Sequence, residues 1–458
     1  MNEASSALNQ PPLTVEQFAD DPTGLREYLE ERGTFDFATY DSGLFPASVL
    51  PPELEATDMG MVWRRDNSHV INALFDAGRH DLAVPAAKAQ LASMNEERDV
   101  LDGVVNGSLD PNKPGGRLSV RMHGKTGTRD REFRVQNDSV GYPLWVTGKL
   151  IEHDAIEPTA HDLDTLAQTV RYLGKIKYWE DRDAGHWEEE MSVHAPSIGT
   201  VIAGLESTQR AMRHVGYRHD LQFGELIQRG RNTFDAMVQR GYASVPSIPE
   251  WARQKTGAIP EDLGAVEFLR TFSTHYRQFD AAMLFMVEPL NVANPQQAAK
   301  IIADVEQHLV RDRGVIRYPG DTYWEPRFKH IMSIDERTSQ AEGRLEWRNQ
   351  TMGGVALSQT EAQWTLFDSP LSTIYGTDYQ RSGSRIAHSK QLIFMNRVLA
   401  QLVPHEGKLV LPEAFYLDHA PVPCGGSTSQ WIPNDHMPLL WAQANLLKSV
   451  ATFEATGV

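Results

Sequence analysis

One large, mostly α-helical domain is the fold class that this 458-residue sequence predicts. Three observations point to it. Apolar residues recur at spacings of three and four in many segments, the signature of a helix with one buried face. Strand-like alternation is scarce. No Pro/Gly/Ser linker, charge block or repeat of 20 to 50 residues divides the chain. A length near 450 residues would also suit about three domains of roughly 150 residues each. Without a linker, one large domain over residues 14–458, behind a polar and flexible tail over 1–13, is the better reading.

The elements follow in chain order. Helical stretches are expected near 69–90 and 139–153. Leu163, Leu166, Val170 and Leu173 form a stripe behind Asp162 as a candidate cap. Ile198, Val201, Ile202, Leu205 and Met212 form another, with Ser197 as cap after Pro196. Further helices are expected near 221–240 and 277–289. Ile301, Ile302, Val305 and Leu309 make a third stripe, and Leu392, Met395, Leu399 and Leu402 a fourth. Two more helices are expected near 358–377 and 434–452. Long polar segments with Gly and Pro lie between them, at 103–135, 241–265, 314–355 and 404–433. Loops of that length in a compact domain are usually functional or disordered, and their aromatic and charged residues favour function.

Composition removes several classes. Charged residues are 23% and hydrophobic residues 41%, an ordinary globular balance. The formal net charge is −17, which disfavours general binding to nucleic acid or to an anionic membrane. The longest apolar run, at 281–287, is far too short to span a bilayer. The N-terminus MNEASSALNQPP lacks the basic and apolar regions of a signal peptide, so a cytoplasmic location is expected. The single cysteine, Cys424, cannot form an internal disulfide and has no basic neighbour to activate it. Sixteen histidines invite a metal. No HExxH or CxxC spacing appears, and His186 and His194 are too far apart to form a short ligand pair, so neither a metal nor another cofactor is expected. GKTGT at 124–128 lacks the spacing of a phosphate loop, and GGSTSQ at 425–430 is not a nucleophile elbow.

The tryptophans carry the first chemical signal. Trp63 in WRRDN, Trp187 in HWEEEM, Trp324 in TYWEP and Trp347 in LEWRN each sit beside charged residues. An indole face stacks on the C–H face of a sugar ring while flanking charges bind its hydroxyls. The competing reading is that these indoles fill the core. In HWEEEM, Glu188, Glu189 and Glu190 are consecutive. One of them held against the Trp187 indole would have a raised pKa and could act as a general acid. From the residues alone, an acidic first turn before the 197–214 helix is the stronger reading. Glycosidic chemistry needs a second carboxylate, about 6.5–9.5 Å away in an inverting enzyme. Glu413 in LVLPEAFYLD, in apolar surroundings, is the candidate; a surface glutamate is the alternative.

In order, the segments WRRDN (63–67), QNDSVGYPLW (136–145), HWEEEMSVHAPSIGTVIAGLE (186–206), RYPGDTYW (317–324) with EAQWTLFDSPLSTIYG (361–376), and LPEAFYLD (411–418) with PNDHMPLLWAQANLL (433–447) resemble glycoside hydrolase family 15, the glucoamylases and their relatives. The chain is also similar to the amino-terminal domain of the phosphorylase kinase α and β subunits. The resemblance implies an all-α (α/α)6 toroid of six inner and six outer helices, with its site at one end. It implies an inverting, exo-acting glycosidase that releases glucose from an α-glucan or α-glucoside. In that reading Glu188 is the general acid and Glu413 the general base. Arg65 and Asp66 grip the terminal sugar, Arg317 binds nearby, and Glu189 lines the adjacent subsite. Trp63, Trp187 and Trp364 form apolar walls. Two positions depart from the glucoamylase pattern. Met59 stands where a tyrosine helps to hold the catalytic water, and Ala414 follows the base where glutamine is usual. They motivate an alternative, a carbohydrate-binding regulatory or scaffold protein without turnover.

Overall fold

The computed structural model describes residues 13–18, 21–49, 58–130, 134–189, 191–245, 277–321, 323–324, 360–418 and 430–457. Its helices are α1 (Pro22–Glu31), α2 (Arg64–Asp76), α3 (His80–Asn95), α4 (Arg98–Asn106), α5 (Asp138–Glu152), α6 (Ala160–Ile176), α7 (Ala195–His214), α8 (Phe223–Gln239), α9 (Pro295–His308), α10 (Asp368–Ser382), α11 (Arg385–Leu399) and α12 (Leu440–Thr456). A 3₁₀ turn covers Ala281–Met286. Among the expectations, the N-terminal tail up to residue 12, Glu190, Trp347 and Cys424 lie outside the described residues.

Six segments close a ring. α2 packs on α5, α5 on α7, α7 on the 3₁₀ turn, the turn on α10, α10 on α12, and α12 back on α2. These inner segments are buried on nearly every side, as α5 and α7 illustrate. A helix apolar or enclosed all round belongs inside a larger assembly. Outside the ring, α1 packs on α12, α3 on α2, α6 and α8 on α7, α9 on the 3₁₀ turn, and α11 on α10. This is an all-α (α/α)6 toroid. At its centre the His69 ring lies 4.6 Å from Tyr142, 5.0 Å from Phe285 and 4.4 Å from Trp441. Burial holds His69 well below the ordinary imidazole range, so it fills the axis as a neutral ring.

The tightest inner crossing depends on glycine. A Cβ at Gly141 of α5 would meet the Thr200 backbone at 2.7 Å, and one at Gly204 of α7 would meet the Gly141 carbonyl at 2.6 Å. Only the bare backbone allows this approach.

Short strands lead into several inner helices. β1 (Val62–Trp63) pairs antiparallel with β2 (Arg121–Met122), and β3 (Val193–His194) with β4 (Ser244–Val245). β5 (Gln363–Trp364), β8 (Ala414–Leu417) and β9 (Trp431–Pro433) form a three-stranded sheet. A hairpin of β6 (Val403–His405) and β7 (Lys408–Val410) precedes it.

Local details correct parts of the sequence reading. The stretch 69–90 is two helices, broken where Gly78 takes a left-handed φ of 76°. Thr159, not Asp162, caps α6; Asp162 is the reciprocal partner three residues on. Ser197 is not a cap, because α7 starts at Ala195 directly after β3, with Pro196 in its first turn. Glu188 and Glu189 therefore lie before that strand and not in a first helical turn. No described helix is long and apolar enough to cross a membrane.

Candidate active site

Two inner helices, α2 and α5, carry charged groups of the site in their first turn. Trp63 ends β1, so Arg64, Arg65 and Asp66 form the first turn of α2. Arg64 turns into the protein and pairs with Glu97 at 2.6 Å, both side chains almost wholly buried. Arg65 is the hub. Its Nη1 donates to Asp138 Oδ2 at 3.2 Å, its Nε lies 3.3 Å from Asp66 Oδ2, and its Nη2 lies 3.5 Å from Glu188 Oε1. Burial opposes its charge, but the carboxylates of Asp66, Asp138 and Glu188 outweigh that and raise its pKa. The guanidinium also sits 5.7 Å from the Trp63 ring and 5.6 Å from Trp441.

Asp66 is unusual. Its carboxyl is buried, and Oδ2 has no hydrogen-bond partner. Burial pushes its pKa up to about 6, with the charges of Glu413 and Asp138 adding and Arg65 opposing. An unpartnered buried acceptor is costly unless a ligand supplies the donor.

Glu188, Trp187 and Glu189 diverge although they are consecutive. Glu188 has a left-handed φ of 58°. Such a backbone costs about 1–3 kcal/mol and persists where the surroundings fix it. Here Gln136 Nε2 donates to the Gly185 carbonyl at 2.7 Å, Ala184 N–H to Val135 O, and Glu189 N–H to Ala184 O. The Glu188 carboxylate, 21% exposed, meets Arg134 Nη1 at 2.9 Å as well as Arg65. Trp187 donates its Nε1–H to Asp280 at 2.9 Å, and its ring faces Trp364 and Phe367. Of the described pair, Glu188 and Glu189, the buried one is Glu189, which pairs with Arg277, accepts from Tyr318, and lies 3.3 Å from Arg317.

Arg317 is enclosed. It makes two hydrogen bonds to Asp321, both at 2.7 Å, and lies among the rings of Trp187, Tyr318, Tyr323 and Trp364. The rings run on from Trp187 to Trp364 at 5.8 Å and to Tyr323 at 5.2 Å.

That aromatic wall leads to Glu413. The residue enters β8 between two strands: Thr365 N–H donates to its carbonyl, and its own N–H donates to His436 O. Three groups converge on one carboxylate oxygen, Oε2: Tyr323 OH at 2.8 Å, Asn434 Nδ2 at 2.7 Å and His436 Nδ1 at 3.0 Å. The other oxygen, Oε1, takes no hydrogen bond among the described residues and is not a buried unpartnered atom. Burial works against ionisation, but His436, Tyr323 and Asn434 prevail and hold the carboxyl below its ordinary range. Met59 packs beside the cluster of Ala47, Trp63 and Val120, and Ala414 is fully buried in β8 opposite Trp364.

The described chain thus brings Glu188, Arg65, Asp66 and Glu413 into one electrostatic group, with Trp63 beside Arg65 and with Trp187, Trp364, Arg317 and Glu189 in an adjoining wall. Among the described residues, no three His, Cys, Asp or Glu side chains converge in a metal-binding group. Sequence reasoning did not single out Asp138, Arg134, Tyr323, Asn434 or His436. Four of these, Asp138, Tyr323, Asn434 and His436, fall inside segments that it quoted, and that placement was the available signal.

The model of the glycosyl hydrolases family 15 matches residues 28–369. The chain belongs to glycosyl hydrolase family 15. As a family 15 member it is a glycosidase. The match stops short of Glu413, so that residue rests on its segment and its geometry. Solved structures with the same fold include a wild-type glycosidase (16% identity, TM-score 0.58, covering 96% of this chain and 97% of that one). Another is the glucoamylase from Saccharomycopsis fibuligera (13% identity, TM-score 0.54, covering 99% and 98%). A bacterial glucoamylase complexed with acarbose is similar at 16% identity and a TM-score of 0.53, covering 91% of this chain and 53% of its own. No curated protein matches the family 15 chain by sequence.

Proposed function

We propose that this family 15 member is an inverting, exo-acting α-glucosidase that releases glucose from the non-reducing end of an α-glucan or α-glucoside. Glu188 donates its proton to the glycosidic oxygen. Glu413 takes a proton from water that attacks the anomeric carbon on the opposite face, and the product is the β-anomer. Arg65 and Asp66 Oδ2, which accepts no hydrogen bond among the described residues, bind hydroxyls of the terminal sugar. Trp63, Trp187 and Trp364 supply apolar walls. Glu189, paired with Arg277 and Arg317, supports the wall of the next subsite from behind.

The observation that carries this reading is the state of Glu413. It is a buried carboxylate with Oε2 saturated by three donors and Oε1 free of hydrogen bonds among the described residues, and its charge is felt by Asp66, the partner of Arg65, which also meets Glu188. A base needs that arrangement: a fixed, ionised group with a free acceptor toward water. Solved relatives include a glycosidase in complex with glucose, in line with a small sugar pocket.

The test is a panel of malto-, isomalto- and trehalose-type substrates with the product anomer followed by NMR. Glu188→Gln and Glu413→Gln should each lower kcat by about 10²–10⁴ while the fold is kept. Wild-type turnover in either variant, or α-glucose as the first product, rejects the mechanism. The same panel decides the alternative that Met59 and Ala414 favour: calorimetric binding of oligosaccharide without sugar release would mark a binding protein.

A further inference from the structure

The environment of Glu413 contains an imidazole, and the geometry fixes that imidazole's proton. His436 Nδ1 is 3.0 Å from Glu413 Oε2. A carboxylate only accepts, so Nδ1 must carry a hydrogen in either charge state of the ring. The titrating atom is then Nε2, which lies 3.8 Å from the exposed Asp435 carboxylate. Tyr323 OH is 3.4 Å from Nδ1, but it already donates to Glu413 at 2.8 Å, so it offers Nδ1 no competing proton. The Trp324 ring stands edge-on to the imidazole at 5.6 Å and limits its rotation. The backbone agrees: Glu413 N–H donates to the His436 carbonyl, so the two residues are tied at both main chain and side chain.

We propose that His436 is a positioning residue for the general base, an imidazolium that locks Oε2 of Glu413, keeps the group ionised and leaves Oε1 to the attacking water. This rests on Glu413 being the base. Among the described residues, the charged or titratable groups facing the ring support the cation or are neutral: Glu413 and Asp435 carry negative charge, and Tyr323 is a phenol. Burial opposes the charge on His436, and the two carboxylates outweigh it, so its pKa lies above the ordinary imidazole value. The consequence follows with a definite sign. A cation within hydrogen-bond distance favours the ionised base, so removing it raises the pH at which Glu413 takes up a proton.

Two measurements test this. In the first, His436→Gln keeps an N–H donor and removes the charge. The acid limb of kcat, read at saturating substrate, should move up by about one pH unit, a loss near tenfold on its acid side. An unmoved limb in folded H436Q overturns the proposal. In the second, the His436 ring is titrated by NMR in wild type and in Glu413→Gln, with no need for turnover. Its midpoint should fall by about one unit when the carboxylate is lost, because coupling is reciprocal. An unchanged midpoint overturns the proposal, even if H436Q does not fold. Failure of the underlying reading looks different: Glu413→Gln would then retain wild-type turnover, whatever the imidazole does.

Discussion

Asp66→Asn should stabilise the protein at neutral pH while impairing sugar binding. The Asp66 carboxyl is buried and titrates near 6, against an ordinary 3.8. The folded state therefore holds this proton more tightly, and the folded chain binds more protons than the unfolded chain between these two values. Stability must then fall as pH rises from about 4 to 6. At 1.36 kcal/mol per unit, the ionised carboxylate costs about 3 kcal/mol at pH 7 relative to its protonated form. Asparagine has no such titration. Urea denaturation of both proteins should show the advantage of D66N growing by about 3 kcal/mol between pH 3.5 and pH 7. In kcat/KM the variant should lose about 10- to 150-fold, the value of a charged hydrogen bond of roughly 1.5–3 kcal/mol. A stability difference that stays constant with pH, or one that falls with rising pH, refutes the reasoning.

Three further outcomes follow. Glu189→Gln leaves the Arg277 and Arg317 charges short of a buried partner, so it should cost about 3–5 kcal/mol in denaturant unfolding and lower kcat/KM as the wall around Trp187 relaxes. Gly141→Ala places a Cβ 2.7 Å from the Thr200 backbone, and thermal unfolding should show a loss of about 1–3 kcal/mol with kcat reduced only in proportion to folded protein. Tyr323→Phe removes one of three donors on Glu413 Oε2, so kcat should fall about tenfold or more with KM nearly unchanged.

The parts of the fold that were legible in the sequence are those with one wet face. α6, α9 and α11 show apolar stripes because their other sides meet solvent, and periodicity reads that contrast. The inner ring gives a weaker signal. α7 is enclosed, so polar Ser197 at its start looks like a cap when it is a buried residue of the first turn. The 3₁₀ turn Ala281–Met286 is apolar throughout and has no period to read. In the site, Arg65, Asp66 and Glu413 were legible through short local motifs. His436 was not, because its role depends on a glutamate 23 residues away whose strand runs beside it. Neither were Asp138 and Arg134, whose partners are on other helices or turns.

Local sequence cannot say which carboxylate of a run does chemistry; backbone direction can. Glu188 and Glu189 share neighbours and composition, yet a left-handed residue between Trp187 and Glu189 sends them to different surroundings. Glu189 is buried between two guanidiniums and a phenol. Glu188 keeps partial exposure and touches Arg65, which in turn meets Asp66. A general acid must give up a proton and recover it every cycle. Of the two, the partly exposed one suits the proposed acid, and it shares the Arg65 cation with Asp66. The buried neighbour instead keeps Arg277 and Arg317 fixed behind the aromatic wall.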